Sequence, residues 1–228
     1  MIKSIQPKVF IVIPVYNEAS VILDTAKEIE NAGYDNVIII DDGSTDNTYN
    51  QAKKTGKIVL QLALNRGKGA AVKTGIEAAK ILGADIVVTM DGDGQHDPND
   101  IEKMINLIKK GKCDVVLGTR LQNPEGMPKY KILANYIGNF FTWLIYGLWV
   151  TDSQSGFRAY SKKAFDLIDT QTDRYEYDSE VIREIGRHNL EYKEVPIKVR
   201  YTDYSMNKAN KQSIKNGIKT LIKMLISS

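Results

Sequence analysis

The stretch that decides the fold is IVVTMDGDGQHDP, residues 86–98. It begins as a β-branched hydrophobic run, which is typical of a buried strand. The strand leads directly into Asp91 and Asp93, and because side chains alternate along extended chain, these two carboxylates point the same way. Two close negative charges repel each other unless a cation lies between them. A hard divalent ion such as Mg²⁺ or Mn²⁺, which prefers oxygen ligands, meets this need. A plain Asp-Gly turn is the simpler alternative.

The alternation of strand and helix extends through the first half of the chain. Hydrophobic runs predict strands at 9–13, 37–40, 58–60, 85–89 and 114–117. Helical spacing, closed each time by a glycine, predicts helices over 18–31, 45–54, 69–82 and 97–111. In the last of these, Asp97 is expected as the N-cap and Pro98 as the first helical residue. This order predicts an α/β fold with one doubly wound, mostly parallel sheet and helices on both faces.

After Gly118 the regular alternation of predicted strands and helices ends. A polar loop is expected over 119–131 and an apolar segment over 132–150, then a strand at 156–160, two helices and a strand at 192–200. A lysine-rich helix closes the chain. We expect a single domain over residues 1–228, divided into 1–118, 119–208 and the C-terminal helix 209–228.

Composition narrows the class of protein. Cys113 is the only cysteine, which excludes an internal disulfide and suits a reducing compartment. The N-terminus has no secretory signal pattern, so we expect a cytoplasmic protein. The net charge of +3 is too small to indicate nucleic-acid binding.

Two further strand ends carry polar residues. The first predicted strand leads into Pro14, Tyr16 and Glu18, and the second into Asp41 and Asp42. Ligands of α/β sheets bind beyond the carboxyl ends of the strands, where an acid can accept hydrogen bonds from ribose hydroxyls. Ordinary turns, with Asp42 or Ser44 capping a helix, would also explain these residues.

A third motif is NRGKG at residues 65–69, directly before a predicted helix. It lacks the spacing of a Walker A loop. Basic residues beside a helix N-terminus suit a phosphate, and a solvated glycine turn fits equally well.

Taken in order, these motifs resemble the signature of inverting family-2 glycosyltransferases with the GT-A fold. The matching segments are 13–18, 41–48, 65–69 and 91–96. Segments 118–120, 127–128 and 152–160 are similar to the branch of dolichyl-phosphate mannose synthases and polyprenyl-phosphate glucosyltransferases. The resemblance implies that a bound Mg²⁺ or Mn²⁺ assists transfer of a hexose from a GDP- or UDP-linked sugar to polyprenyl or dolichyl phosphate. Residues 1–118 would then bind the nucleotide-sugar and residues 119–208 the acceptor.

The resemblance also implies roles for single residues. Asp91 and Asp93, with Gln95, would hold the metal, and Arg120 would meet the acceptor phosphate. Lys131 stands near a position where the family often has an arginine. Arg200 belongs to a looser match late in the chain. The residues expected around the nucleoside are Pro14, Tyr16, Glu18, Asp42 and Arg66.

The acceptor decides whether a catalytic base is needed. A lipid phosphate is already anionic, whereas a hydroxyl acceptor on a glycan or glycolipid requires a carboxylate base. Asp152 is the first candidate for that base, followed by Asp178 and Glu180. A structural role of Asp152, capping the strand that follows, is an equal alternative.

Two segments indicate contact with a membrane surface. Residues 132–150 are nearly long enough to span a bilayer, but Asn135, Asn139, Thr142 and Tyr146 form a polar stripe at helical spacing. This stripe favours an interfacial helix, or a helix of the domain core, over a span. Near the C-terminus a lysine recurs every four residues, at Lys211, Lys215, Lys219 and Lys223, which suits anionic headgroups or a solvated face. We therefore expect a peripheral protein, which could work with a membrane-embedded partner.

Overall fold

The computed structural model describes residues 6–122, 124, 127, 129–174, 176–201 and 204, with the exception of the Lys131 side chain. The predicted C-terminal helix 209–228 lies outside these residues. The strands are β1 Val9–Val15, β2 Val37–Asp41, β3 Ile58–Gln61, β4 Ile86–Thr89, β5 Val115–Thr119, β6 Arg158–Ser161 and β7 Tyr192–Pro196. The helices are α1 Ile22–Asn31, α2 Thr48–Lys53, α3 Lys68–Ile81, α4 Asp100–Lys109, α5 Lys129–Tyr146, α6 Lys162–Leu167 and α7 Glu176–Arg187.

The seven strands form one sheet in the order β3-β2-β1-β4-β6-β5-β7. Every pairing is parallel except those of β6, which runs antiparallel between β4 and β5. The predicted α/β fold with a mostly parallel sheet is confirmed. The antiparallel insertion of β6 was not predicted, because strand direction depends on a long connection rather than on local sequence.

The core lies on both faces of the sheet, as successive residues of β1 demonstrate. Val12 belongs to a buried cluster with residues of α3 and α7, whereas Ile13 belongs to a second cluster with residues of α1 and α4. Neighbouring side chains of a strand point to opposite faces, so a strand covered on both faces must be hydrophobic throughout. This burial fixes the strands, and the polar segments that follow them form the loops at their carboxyl ends.

Four helix starts differ from the prediction by more than one residue. α2 begins at Thr48 rather than at residue 45, because the Asp46 carboxylate accepts the Thr48 N–H in a preceding turn. α1 begins at Ile22 rather than at residue 18, because the chain first makes a turn in which the Val21 N–H donates to the Glu18 carbonyl. α4 begins at Asp100, and Asp97 is not its N-cap, because the Asp97 carboxylate instead accepts the Asn99 N–H in a preceding turn. α5 begins at Lys129, inside the expected polar loop. Among the described residues, no helix is long and apolar enough to cross a bilayer.

Candidate active site

The sheet brings the three polar strand ends to one edge. β1 lies between β2 and β4, with Val15 opposite Asp41 and Val12 opposite Thr89. The segments that follow these strands, at 16–18, 42–46 and 91–96, are therefore neighbours, as the motifs predicted. This edge is where ligands of parallel sheets bind.

Asp91 is the centre of a charged cluster at this edge. One carboxylate oxygen lies 2.9 Å from the Lys68 ammonium, and the other lies 3.2 Å from Nε2 of His96. The same ammonium lies 3.2 Å from the Asp178 carboxylate on α7. Gly156 makes room for this cluster, since a Cβ there would lie 2.3 Å from the Lys68 nitrogen and 2.7 Å from Asp91. The site therefore combines residues from four separate parts of the chain.

Burial and charge set the protonation of these groups. Burial alone would raise the pKa of Asp91, but the charge of Lys68 and the contact with His96 outweigh it and hold that pKa well below its usual range. Burial alone would lower the pKa of Lys68, but the carboxylates of Asp178 and Asp91 raise it. Burial and the neighbouring charge of Asp91 raise the pKa of Asp93. Of the two carboxylates in this loop, Asp93 is therefore the one whose negative charge is less compensated by its surroundings.

The donor set at this edge fits a hard divalent ion. Among the described residues, no group of three or more His, Cys, Asp and Glu side chains is arranged so that it could hold a metal ion by itself. The chain therefore offers the two carboxylates of Asp91 and Asp93, and Mg²⁺ is commonly bound by one or two carboxylates that are completed by water and substrate phosphates. A cation would also offset the charge that raises the pKa of Asp93. Gln95 lies in the same loop, where its backbone N–H donates to Asp93 and its carbonyl accepts the Arg200 N–H.

Two glycines lie in the Asp91 loop. A Cβ at Gly92 would lie 2.4 Å from the Val15 side chain, so this glycine is required for packing against β1. Gly94 adopts φ of 73°, in the left-handed region that favours glycine. Both glycines therefore shape the loop.

Asp42 organises the loop in front of α3. Its two carboxylate oxygens accept the backbone N–H groups of Arg66, at 2.9 Å, and of Gly67, at 2.8 Å. Burial raises the pKa of Asp42, and these two hydrogen bonds only partly offset the effect. The alternative in which Asp42 or Ser44 caps α2 is wrong, because the N-cap position is occupied by Asn47. The exposed Arg66 guanidinium pairs with Asp173 at 2.7 Å.

The first strand end is covered by a residue from the far end of the described chain. The Tyr204 hydroxyl donates to the Glu18 carboxylate at 2.7 Å. Burial and this contact raise the pKa of Tyr204 to about 12. Glu18 is buried, whereas Tyr16 is exposed and Pro14 lies within β1. A role for Tyr204 was not predicted, because the contact links residues 186 positions apart.

Arg120 and Asp152 form the second charged centre. The Nε and Nη2 groups of Arg120 each donate to the Asp152 carboxylate at 2.7 Å, and the Arg120 backbone N–H donates to it at 2.9 Å. The Asp152 side chain is fully buried, and the Arg120 side chain remains 23% exposed. Burial alone would lower the pKa of Arg120, but the carboxylate of Asp152 outweighs burial and raises this pKa above its ordinary value. Asp152 therefore fixes the position of a cation that still reaches solvent.

These contacts disfavour all three candidate bases. Asp152 already accepts three hydrogen bonds from Arg120. Asp178 is paired with Lys68. Glu180 accepts hydrogen bonds from the backbone of Gln171 and Thr172 and from the Arg183 guanidinium. Each carboxylate is engaged in structural contacts rather than directed towards a substrate hydroxyl.

The remaining predicted residues lie farther out or outside the described atoms. The Arg200 guanidinium pairs with Glu28 of α1 at 2.7 Å and lies 3.7 Å from Asp97. Its charge is therefore engaged on the α1 side, and its expected role in ligand binding stays a prediction. The Lys131 side chain is outside the described part, so its expected role stays a prediction.

A partly buried acidic pair at the carboxyl edge of a mostly parallel sheet, with fixed cations beside it, is an arrangement suited to phosphorylated ligands. The comparisons make this more specific. Residues 10–168 match the model of the family described as Glycosyl transferase family 2. The chain belongs to this family, as the motifs implied.

Named relatives extend this finding. The chain is 39% identical to the UDP-N-acetylglucosamine–dolichyl-phosphate N-acetylglucosaminyltransferase of Methanococcus voltae, over 96% of this chain and 95% of the relative. It is 27% identical to the undecaprenyl-phosphate mannosyltransferase of Micrococcus luteus, over 83% and 82% of the two chains. The glucosyl-3-phosphoglycerate synthase of Mycobacterium tuberculosis, solved with Mn²⁺, UDP and phosphoglyceric acid, superposes with a TM-score of 0.69 at 21% identity. This match covers 96% of this chain and 78% of the solved one, and it confirms the GT-A fold.

Proposed function

We propose that the protein is a metal-dependent, inverting glycosyltransferase that moves a hexose or N-acetylhexosamine from a UDP-linked donor to polyprenyl or dolichyl phosphate. The observation that carries this proposal is the acidic pair Asp91 and Asp93 beside the fixed Lys68 ammonium, in a chain of this family. The sequence left GDP and UDP open. The name of the M. voltae relative and the UDP in the solved M. tuberculosis enzyme favour UDP.

The donor nucleoside would bind at the ends of β1 and β2. Tyr16 is exposed there, and Asp42 directly follows the neighbouring strand β2, where its N–H donates to the Val15 carbonyl. An acid at this place can accept hydrogen bonds from the ribose or the base. Arg66 and Glu18 border the same crevice. Since Tyr204 contacts Glu18, donor binding would involve this tyrosine as well.

The diphosphate would lie over the acidic pair. Asp91 and Asp93, with Gln95, would hold Mg²⁺ or Mn²⁺, which supplies positive charge to the diphosphate as it leaves. Lys68 adds a cation that Asp91 and Asp178 already hold in position. A preorganised charge of this kind stabilises a leaving anion without the cost of reorientation.

The acceptor phosphate would meet Arg120. Asp152 holds one edge of the guanidinium, and the remaining N–H groups can donate to phosphate oxygens, to which arginine is well matched. An acceptor phosphate oxygen would attack the anomeric carbon as the bond to the nucleoside diphosphate breaks. Because the phosphate is already anionic, no base is needed. The engaged state of Asp152, Asp178 and Glu180 therefore favours a phosphate over a hydroxyl acceptor.

A lipid acceptor implies work at a membrane surface. We accordingly propose a cytoplasmic protein that is peripheral to the membrane, with or without a membrane-embedded partner.

A donor screen tests the proposal. The protein is incubated with a polyprenyl phosphate, Mn²⁺ and one donor at a time: UDP-glucose, UDP-N-acetylglucosamine or GDP-mannose. The lipid product is then identified by mass spectrometry. We expect a glycosyl phosphate lipid from a UDP-sugar, and no product in EDTA. A product formed with GDP-mannose alone would overturn the donor assignment, and a product formed equally well in EDTA would overturn the metal.

A further inference from the structure

Helix α5 has its polar and apolar sides reversed relative to a helix that packs on a soluble domain. Asn139 and Thr142 are 1% and 0% exposed, whereas Leu133 and Leu144 are 62% and 61% exposed. At roughly 100° per residue, the exposed apolar residues share one side of the helix and the buried polar residues the other. The exposed side, called here the α5 apolar face, comprises Leu133, Tyr136, Ile137, Phe140, Trp143 and Leu144.

The polar side of α5 is occupied by the protein. The Asn139 side chain donates to the Thr151 carbonyl and accepts the Ser153 backbone N–H at 2.9 Å. The Thr142 hydroxyl lies 3.3 Å from the hydroxyls of both Ser153 and Ser179. These buried hydrogen bonds fix the rotation of the helix, because turning it would bury the apolar face only by leaving the Thr151 carbonyl and the buried Ser153 N–H without the partner they have in Asn139. The outward direction of the apolar face is therefore built into the fold.

We propose that the α5 apolar face docks on the surface of a lipid bilayer, with the helix lying in the plane of the headgroups. A contiguous exposed apolar face of this kind marks an interaction site. Its composition favours lipid over a protein partner, because it mixes leucine and isoleucine with tyrosine and tryptophan, which concentrate at membrane interfaces. The chain has no acidic residue between Glu125 and Asp152, while Lys129 and Lys131 lie at the start of the helix. The charge of this region thus complements an anionic surface.

The docking proposal rests on the proposed function in one respect, the delivery of the acceptor. Asn139 of α5 holds Thr151 and Ser153, which flank Asp152, and Asp152 holds Arg120. A bilayer under α5 would therefore be separated from the guanidinium proposed to bind the lipid phosphate by the width of one helix, about 10 Å. The polyprenyl tail could then stay in the bilayer while its phosphate reaches the site.

The two tryptophans of the chain make this surface directly measurable. Trp143 and Trp149 are the only tryptophans, both are exposed, and their rings lie 6.1 Å apart. Tryptophan fluorescence therefore reports on Trp143 of the α5 apolar face and on Trp149 beside it. On addition of vesicles of phosphatidylcholine and phosphatidylglycerol, we expect a blue shift of the emission, and quenching when the acyl chains are brominated.

Substitutions identify the face that docks. Leu133→Gln, Phe140→Gln and Leu144→Gln should each weaken vesicle binding about ten-fold, because each removes an apolar side chain from the lipid contact. Ile81→Gln is the matched control, since Ile81 is 86% exposed at the end of α3 and should leave binding unchanged. A full-length variant with Lys211, Lys215, Lys219 and Lys223 replaced by glutamine should keep the blue shift at saturating vesicles, which separates this contact from any contribution of these lysines.

Three outcomes would overturn the docking proposal. The protein could fail to bind the vesicles, or could bind them with unchanged tryptophan emission, which would assign the contact to another surface. The α5 variants could instead abolish self-association seen by light scattering, which would make a second copy the occupant. The vesicles contain neither prenyl phosphate nor nucleotide, so these results do not depend on the proposed activity. That activity is tested separately by transfer to a short, water-soluble prenyl phosphate, which needs no bilayer.

Discussion

The two halves of the molecule hold their key carboxylates in different ways. In the N-terminal half, residues 6–118, Asp42 accepts two backbone N–H groups from the loop that precedes α3. In the C-terminal half, residues 119–204, Asp152 accepts a guanidinium edge together with a backbone N–H of the same residue, Arg120. The first arrangement fixes the backbone of a loop, and the second fixes the position of a cation. We propose that this difference reflects a division between donor and acceptor binding.

Asp91 lies where the halves meet. Lys68 from the N-terminal half pairs with both Asp91 and Asp178. Gly156 from the C-terminal half lies directly against the Lys68 ammonium and the Asp91 carboxylate. If the halves bind separate substrates, variants in this junction should affect the chemical step, whereas variants within one half should affect one substrate.

The largest effect is expected at the junction. Asp91→Asn should lower transfer about a thousand-fold, because it removes one carboxylate of the metal site and the charge that holds Lys68. Since Asp178 still pairs with Lys68, the fold should persist, which far-ultraviolet circular dichroism can check. Asp93→Asn should behave alike. Full activity of either variant in EDTA would contradict the metal assignment.

A smaller effect, confined to the acceptor, is expected at Arg120. Arg120→Ala should lower transfer to polyprenyl phosphate about a hundred-fold, because a positioned donor to a phosphate oxygen is lost. The rise in melting temperature caused by UDP and Mn²⁺ should be unchanged, since this ligand binds in the other half. Lys163→Ala, which breaks the exposed pair with Asp114, is the control and should leave both measurements unaffected. Loss of the UDP effect in Arg120→Ala would refute the division of the halves.

The contact between the halves can be tested with a single methyl group. Gly156→Ala should reduce transfer about ten-fold, because its Cβ would displace the Lys68 ammonium from Asp91. The melting temperature should change little, since the end of a flexible lysine side chain can move. Gly186→Ala in α7, where a Cβ meets nothing within 4 Å, should stabilise the protein by about 0.5–1 kcal/mol without affecting transfer. A normal rate of transfer by Gly156→Ala would contradict the proposed role of Lys68 in the site.

The smallest effect concerns stability and pH. Burial alone would raise the pKa of Glu180, but hydrogen bonds from Thr172 and Gln171 and the charge of Arg183 lower it. A lowered pKa in the folded state stabilises the fold above the ordinary pKa of glutamate, and this contribution is lost as the pH falls through the folded value. Glu180→Gln should therefore cost about 1–3 kcal/mol in urea unfolding at neutral pH and almost nothing in acid. A cost that does not vary with pH would show that the charge of Glu180 is unimportant.

Local sequence was enough to predict the sheet and the acidic pair. The strands were visible because a sheet covered on both faces needs unbroken hydrophobic runs, and Asp91 follows such a run directly. The partners of Asp91 were not visible. His96 stood within the quoted motif without an assigned role, and Asp178 lies 110 residues from Lys68, so no local spacing could connect them.

The sequence also showed the two sides of α5 without showing which one faces the domain. A polar stripe on an apolar helix ordinarily faces water. Here Asn139 and Thr142 face inward, because the loop at 151–153 presents backbone and hydroxyl groups that need partners. The orientation thus depends on a loop that has no periodicity of its own.

The central claim, that the C-terminal half receives a phosphate rather than a hydroxyl, is tested most directly by comparing two acceptors of equal chain length. Initial rates of transfer from the preferred UDP-sugar are measured with a polyprenyl phosphate and with the corresponding polyprenol, under the same detergent and Mn²⁺. We predict rapid transfer to the phosphate and none to the alcohol, with Arg120→Ala removing most of the difference. Faster transfer to the alcohol, or to a water-soluble sugar, would contradict the account and would require a catalytic base that Asp152 does not provide in this arrangement.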